Sequence, residues 1–134
     1  MSCDIKELPG LTVRIDEVFY APQLEAPEDR PFPFIYFITI DNQSEETVTI
    51  RGRKWVLTDS EGWRTVVEGD GVVGKFPRLQ PGQSFSYNSY FVVASDSVAE
   101  GAYFAISDDH RPFYTRIPAF RVNLPGPDEL RNSE

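Results

Sequence analysis

Alternation of apolar and polar residues with a period of two dominates this chain and predicts β-strands. Between positions 11 and 20 the apolar side chains of Leu11, Val13 and Ile15 alternate with polar ones, as in a strand buried on one face. Residues 34–40 are almost continuously apolar and aromatic, which indicates a strand covered on both faces. Further strands are predicted at residues 48–57, 63–67, 85–93, 102–106 and 113–122.

The segments between these strands are rich in turn-forming residues. Residues 59–62 suit a tight hairpin turn, and residues 80–83 and 108–112 predict further turns. Gly52, between two arginines, predicts a bulge or a strand boundary. About seven short strands with frequent turns predict an all-β fold, an immunoglobulin or fibronectin type III-like antiparallel β-sandwich of about seven or more strands. A small barrel is the alternative.

Length and charge restrict the domain organisation and the partners. The chain has 134 residues, which predicts one domain. We place it at residues 11–125, after a leader at 1–10 and before a polar tail at 126–134. Its 13 basic and 21 acidic residues give a net charge of −8, which disfavours a nucleic-acid partner and an anionic membrane surface.

The scarcity of reactive side chains excludes several kinds of site. Cys3 and His110 are the single cysteine and histidine, which excludes a disulfide framework, a Cys/His zinc site and a Cys–His nucleophile pair. His110 lies in the predicted turn at 108–112, where we expect it to be exposed. No stretch resembles a secretory signal or a membrane span, and an unpaired cysteine fits a reducing compartment, so we expect a cytoplasmic location.

A glycine-rich segment at residues 69–76 (GDGVVGKF) matches two phosphate-binding patterns. It has the G-x-G-x-x-G spacing, and it also has the P-loop spacing without the final Ser or Thr. Both motifs direct loop amides and a helix N-terminus at phosphate oxygens, but Pro77 and Pro81 follow here and no helical pattern does. A Rossmann or P-loop site is therefore not predicted.

A simpler anion site remains a hypothesis for this segment. Glycines permit positive φ, and consecutive amides in such a turn can form an anion-binding nest. Asp70 would oppose an anion there. The alternative is that the glycines only shape a long loop between two strands. The candidate phosphate- or pyrophosphate-binding residues are Gly69, Gly71, Gly74, Lys75 and Arg78.

Paired acids offer a second candidate chemistry. Carboxylate pairs can hydrolyse glycosides or bind hard cations. The pairs in this chain lack a regular ligand spacing and lie at predicted turns, where carboxylates are ordinarily solvated. No metal site is predicted. The acids in question are Asp59, Glu61, Glu68 and Asp70.

Aromatic residues provide the third candidate feature. Trp55 is predicted to lie in the core, and Arg53 on the same strand face either stacks on an aromatic ring or pairs with an acid. Tyr87, Tyr90 and Phe91 share a strand with alternating orientation, so some of them face outward or into a groove. An outward aromatic face is typical of a partner-binding surface.

Several motifs together resemble the bacterial ApaG family over about residues 11–125. They are RKWVLTD at 53–59, GDGVVG at 69–74, LQPG at 79–82, FSY at 85–87, GAY at 101–103 and IPAF at 117–120. The resemblance implies a fibronectin type III-like β-sandwich. The family commonly has a glycine and a methionine shortly before Gly101, where this chain has Ser97 and Ala99, and residues 91–96 are also atypical. The chain therefore differs from the family pattern in the predicted loop before Gly101.

The resemblance also implies a modest function. Proteins of this kind are linked to diadenosine polyphosphate metabolism, cobalt resistance and magnesium efflux, and similar domains in eukaryotic F-box and polymerase-interacting proteins look like interaction modules. The family carries no catalytic residue set. We therefore expect a non-enzymatic binding module with a protein partner and without a cofactor. A nucleotide or pyrophosphate sensor and a hydrolase are the alternatives, and a self-complementary edge strand would form homodimers.

Overall fold

Nine β-strands and no helix make up the regular structure of residues 5–126, the part of the chain that the computed structural model describes. The predicted hairpin, turns and strands all lie in this range, whereas Cys3 and residues 127–134 of the predicted tail fall outside it. The strands are β1 (Lys6–Glu7), β2 (Leu11–Tyr20), β3 (Phe32–Asn42), β4 (Val48–Asp59), β5 (Arg64–Asp70), β6 (Arg78–Leu79), β7 (Ser84–Val93), β8 (Ser97–Ser107) and β9 (Pro112–Val122).

The strands form two sheets. One sheet has the order β1-β9-β8-β4-β5, with β6 also paired to β4, and the other has the order β2-β3-β7. Every pair is antiparallel except β1 with β9. The two sheets pack face to face over a shared apolar core, which confirms the predicted β-sandwich in place of the barrel.

The core lies between the sheets and contains the residues that the alternation predicts. Leu11 and Val13 are buried while Thr12 and Arg14 between them are exposed. Trp55 is 2% exposed, and its ring lies 4.9 Å from that of Tyr36 and 5.4 Å from that of Phe91, which confirms its predicted core position. Aromatic packing across the two sheets therefore supplies much of the buried area.

Strand β3 is less enclosed than its composition predicts. Tyr36 and Ile38 face the core and are buried, whereas Ile35 and Phe37 on the opposite face are half-buried. Pro33 and Thr39 on the same outer face are buried, and the Phe19 ring stacks on that of Phe37 at 6.0 Å. The prediction that both faces are covered is therefore confirmed only in part.

Two strands extend beyond their predicted bounds. The apolar pattern ends at Val67, but the ladder of β5 with β4 continues to Asp70, opposite Gly52. The predicted loop before Gly101 is also strand, because β8 begins at Ser97 and stays paired with β4 throughout. Polar and glycine residues inside a ladder do not contribute to the apolar pattern, so the predicted strands were shorter than the observed ones. The bulge predicted beside Gly52 is confirmed by a register shift between Ile50 and Gly52.

The segment before β2 is tied to the sandwich. Strand β1 lies within the predicted leader and pairs with β9 in parallel. Leu8 is 7% exposed and belongs to the core cluster, and its amide donates to the carbonyl of Tyr114 at 3.2 Å. Within residues 5–126 no helix has the length and apolar character needed to cross a bilayer.

The edges of the sheets differ in how they are covered. In the six-stranded sheet, β1 covers part of the β9 edge, whereas β5 ends the sheet at the other side. Strand β7 similarly ends the three-stranded sheet. These uncovered edges determine where a partner can reach the backbone.

Candidate functional site

Exposed apolar side chains concentrate around β5 and the turn that follows it. Of the eight large hydrophobic residues that are exposed in the described chain, five lie between positions 63 and 76. We call these five the β5 surface. They are Trp63 (74% exposed), Val66 (51%), Val67 (38%), Val73 (55%) and Phe76 (50%).

The hairpin before β5 holds Trp63 in place. The Asp59 carboxylate accepts hydrogen bonds from the amides of Glu61 and Trp63, each at 2.9 Å. Gly62 has a φ of +88°, which an L-residue with a side chain rarely adopts. Asp59 therefore organises the turn that presents the indole, and the predicted tight hairpin is confirmed.

Arg53 fixes the end of β5 from the neighbouring strand. Its Nη1 donates to the carbonyl oxygens of Asp70 and Gly71, each at 3.1 Å. A Cβ at Gly69 would lie 2.8 Å from the Arg53 guanidinium, so the absence of a side chain there lets the arginine lie across β5. The expected stacking or acid pairing of Arg53 was wrong within the described chain, since backbone carbonyls take its hydrogen bonds instead.

The glycine-rich segment divides between strand and turn. Gly69 lies in β5 opposite Arg53, whereas Gly71 and Gly74 have φ values of 60° and 76°. The amide of Gly71 donates to the carbonyl of Arg51 at 2.8 Å. The amides of Val72 and Lys75 donate to each other's carbonyls at 2.8 and 3.0 Å. These three amides are therefore not available to an anion.

The two candidate counter-charges have different surroundings. The Arg78 guanidinium, in β6, donates to the Asp108 carboxylate, with Nε 3.2 Å from Oδ1, and this pairing raises the pKa of Arg78. Lys75 is exposed, and it forms no ion pair within residues 5–126. Over the same residues, the amides of Val73 and Gly74 have no hydrogen-bond acceptor. The groups of this segment that remain available to an anion are therefore the amides of Val73 and Gly74 and the ammonium of Lys75.

The remaining titratable candidates are dispersed. Glu68 lies 3.9 Å from the ammonium of Lys54, and Glu61 is exposed at the hairpin tip. His110 is exposed in its turn with a φ of 66°, which confirms the expected position. Across residues 5–126 no three His, Cys, Asp or Glu side chains are grouped closely enough to hold a metal ion.

A tyrosine cluster in the interior was missed by the sequence analysis. The hydroxyls of Tyr87 and Tyr103 are hydrogen-bonded to each other across the two sheets. Burial raises the pKa of both groups above the usual range of a tyrosine hydroxyl. The Tyr36 ring packs edge-on against that of Tyr87 at 6.0 Å. The alternation along β7 predicted one inward face, but not that two tyrosines from different sheets would meet.

A cleft opens beside the β5 surface, between the edges of β5 and β7. Its volume is about 300 Å³, and the loop between β2 and β3 forms one wall. Tyr90 faces outward at its rim and is 41% exposed, whereas Phe91 is buried, which confirms that this run of aromatics splits between two faces. The lining side chains that face it from the two sheets are Leu57, Val67, Tyr90, Phe91 and Val92.

Comparisons with known proteins agree on one family. The model of the ApaG domain matches residues 22–107. The chain is 36% identical to Protein ApaG of Vibrio cholerae over 119 residues, which covers 88% of this chain and 94% of that protein. It is 38% identical to Protein ApaG of Pseudomonas aeruginosa over 117 residues, covering 87% and 92%.

Solved structures show the same fold. A crystal structure of a Bordetella pertussis protein provisionally named ApaA superimposes with a TM-score of 0.75 at 29% identity, covering 91% of this chain and 98% of that one. A structural-genomics target gives a TM-score of 0.77 at 29% identity, covering 90% and 91%. With these matches over most of its length, the chain belongs to the ApaG domain family.

Proposed function

We propose that this protein is a non-enzymatic binding module that engages a protein partner through the β5 surface. The observation that carries the proposal is the concentration of exposed large apolar side chains at positions 63–76. Exposed apolar side chains concentrated at one edge of a sheet are typical of interaction sites, and tryptophan is enriched among the residues that dominate binding energy. Trp63, at 74% exposed, would be the central contact.

The backbone around β5 supports the same proposal. An edge strand presents unpaired N–H and C=O groups to which an extended segment of another chain can add a strand. Arg53 holds the end of β5 through the carbonyls of Asp70 and Gly71, so the edge is ordered before a partner arrives. Preorganisation of this kind lowers the entropy lost on binding.

The turn after β5 adds a second indication. Val73 has a φ of 50° and a side chain that is 55% exposed. Positive φ is strained for a β-branched residue, and glycine would relieve the strain. An exposed valine in this conformation supports a role in contact with a partner.

Retention of partners from a native extract tests the proposal. Immobilised wild-type protein should retain a reproducible partner, and Trp63→Ser should lose it. Phe19→Ser is the matched control, because Phe19 is an exposed aromatic residue (39%) on the other sheet. Equal retention by both variants and the wild type, or no reproducible partner at all, would contradict the proposal. If a partner is retained through Trp63, mass spectrometry identifies it, and the family's link with cobalt resistance and magnesium efflux would act through that partner.

Nucleotide or pyrophosphate sensing is a second proposal, supported by the Val73 and Gly74 amides, which have no acceptor within residues 5–126, and by the exposed Lys75 that follows them in the chain. Calorimetric titration with ATP, diadenosine tetraphosphate and pyrophosphate, with and without magnesium, tests it. Binding that Lys75→Ala abolishes and Lys54→Ala preserves would support the sensor. Absence of heat at millimolar ligand would contradict it.

Hydrolysis by Asp59, Glu61, Glu68 and Asp70 has less support, because Asp59 is bonded to turn amides and Glu68 lies beside Lys54.

A further inference from the structure

We propose that β5 pairs in antiparallel register with β5 of a second copy of this chain, with Val67 of each copy meeting at the two-fold axis. The pairing would join the two six-stranded sheets into one continuous sheet. The inference rests on the proposed function, because it uses the β5 surface as a binding surface, and it goes further by naming the occupant.

The backbone of β5 determines which residues face the free edge. The amide of Asp59 donates to the carbonyl of Trp63, and the amide of Gly71 donates to that of Arg51. Odd-numbered positions from 63 to 71 therefore point their backbone groups at β4, so positions 64, 66, 68 and 70 point theirs at the free edge. Hydrogen-bonded positions face each other in an antiparallel pair, so even positions of one copy must oppose even positions of the other.

The charges favour one register among those allowed. With Val67 at the axis, Arg64 of each copy lies opposite Asp70 of the other, and Val66 lies opposite Glu68. A shift of one step in one direction places Glu68 opposite itself, which is repulsive. A shift in the other direction places Arg64 opposite Glu68, which already lies 3.9 Å from the Lys54 ammonium. That shift also leaves Asp70 opposite Gly62 in the hairpin, without a charged partner.

Both charged residues are available for this pairing. Within residues 5–126 neither Arg64 nor Asp70 forms an ion pair, and the Arg64 side chain is exposed. Two symmetry-related Arg64–Asp70 pairs would form across the edge. They would offset at short range the repulsion between two copies that each carry a net charge of −8.

The opposite face of the same register is also complementary. Val67 of one copy would contact Val67 of the other, which covers a side chain that is 38% exposed in the single chain. Trp63 would lie opposite Gly71 and diagonal to Gly69 of the second copy. In the second copy, the Arg53 guanidinium lies over Gly69 on this face. The register therefore places the most exposed aromatic residue of the described chain beside a guanidinium group, on which an indole ring can stack.

Sedimentation velocity over a concentration series tests the register through charge reversal. The wild type should show a monomer–dimer equilibrium. Arg64→Asp and Asp70→Arg should each raise the dimer dissociation constant by about tenfold, because attraction becomes repulsion at both symmetric pairs. The double variant Arg64→Asp/Asp70→Arg should recover the wild-type constant. A wild type that stays monomeric, or a double variant that remains as weak as the single ones, would overturn the inference.

Disulfide formation tests the axis independently of charge. In a Cys3→Ser background, Val67→Cys should oxidise to a covalent dimer, because Cα atoms in a non-hydrogen-bonded antiparallel pair lie about 4.5 Å apart, within the range that a disulfide bridges. Val66→Cys is the matched control. In this register the two copies of residue 66 are diagonal neighbours about 7–8 Å apart, which is too far. Equal cross-linking of the two variants, or cross-linking of residue 66 alone, would overturn the register.

The two proposals fail in different ways. A monomeric wild type whose retention of another protein still depends on Trp63 overturns the second-copy inference and leaves the proposed function intact. A dimer that responds to charge reversal and to Val67→Cys as expected supports the inference. If no other protein is retained through Trp63 in that case, the proposed binding of a different protein is overturned. Thermal unfolding of each variant checks that its fold is unchanged, as expected because the substituted positions within residues 5–126 are exposed.

Discussion

The two edges of the six-stranded sheet are built differently, although they flank the same core. At one edge, β1 pairs with β9, and β9 also carries Pro118, which has no N–H to offer a further strand. At the other edge, β5 is uncovered and presents valines and a tryptophan to solvent. Native sheets usually protect their edges with prolines, charges or short covering strands. The contrast indicates that the β9 edge is closed against pairing and the β5 edge is kept open for it.

The largest expected effect comes from truncating Trp55, which lies in the core beneath the six-stranded sheet. Trp55 lies on β4 and packs against Tyr36 and Phe91 of the other sheet. Trp55→Ala should lower the free energy of unfolding by about 3–5 kcal/mol, since it leaves a large cavity. Urea denaturation measures this. Val56→Ala, on the half-buried opposite face of the same strand, should cost less than half as much, and an equal loss would show that Trp55 has no special place in the core.

The next largest effect is expected at the β9 edge, where β1 is paired with β9. Leu8 anchors β1 in the core, so Leu8→Ala should lower stability by about 2 kcal/mol and release β1 from β9. Faster amide exchange at Tyr114 and Leu8 should follow, with the β5 edge unchanged. Ile5→Ala, at a position 45% exposed, is the control and should leave exchange as in the wild type. If exchange accelerates equally at both edges, the protection of β9 does not come from β1.

A smaller effect loosens the open edge. Arg53→Met should remove the hydrogen bonds to the carbonyls of Asp70 and Gly71 and lower stability by about 1 kcal/mol. Hydrogen exchange at residues 69–72 should accelerate, while that at β9 stays the same. Arg51→Met is the matched control, because the Arg51 guanidinium lies 5.4 Å from the centre of the Phe76 ring and makes none of these bonds. Unchanged hydrogen exchange in Arg53→Met would show that β5 is ordered without the hydrogen bonds from Arg53.

The smallest expected effect comes from Asp16 in the three-stranded sheet. It shows whether a loss of stability at low pH can occur without any change in hydrogen exchange at the β5 edge. Hydrogen bonds from Thr39 and Arg14 lower the pKa of Asp16 below its ordinary value. A carboxyl whose pKa is depressed by folding stabilises the protein above its unfolded-state pKa, and this contribution is lost as the pH falls through the folded-state value. Stability should therefore decline slightly below about pH 4. Asp16→Asn should flatten that decline in acid unfolding curves without altering exchange at β5, and an unaltered curve would contradict the assignment.

The sequence predicted the elements whose apolar period is regular. Leu11 and Val13 in β2 and Trp55 in β4 occupy the faces that alternation predicts, because a residue's face follows from its parity in the strand. The sequence failed where ladders continue through polar or glycine positions. Gly69 is the clearest example, since the glycine-rich segment was interpreted as a loop between two strands, whereas Gly69 is a strand position over which Arg53 lies.

The candidate site was predictable in part. The glycine segment was found from its spacing, but spacing does not reveal that the amides of Gly71, Val72 and Lys75 are already bonded to carbonyls. Those bonds depend on β4 and on the turn's own geometry. The exposure of Val66 and Val67 was equally hidden, since adjacent valines are compatible with a buried strand as well as with an edge.

By itself, the sequence determined the all-β class, the sandwich faces and the family, because side-chain parity and ordered motifs are local properties. Only the tertiary structure decided which strands end the sheets, which glycine lies under a guanidinium and which valines reach solvent. Strand order depends on pairing between residues far apart in the chain, such as β5 with β4 and β1 with β9. Exposure at an edge is the absence of a neighbour, and no residue encodes that absence locally.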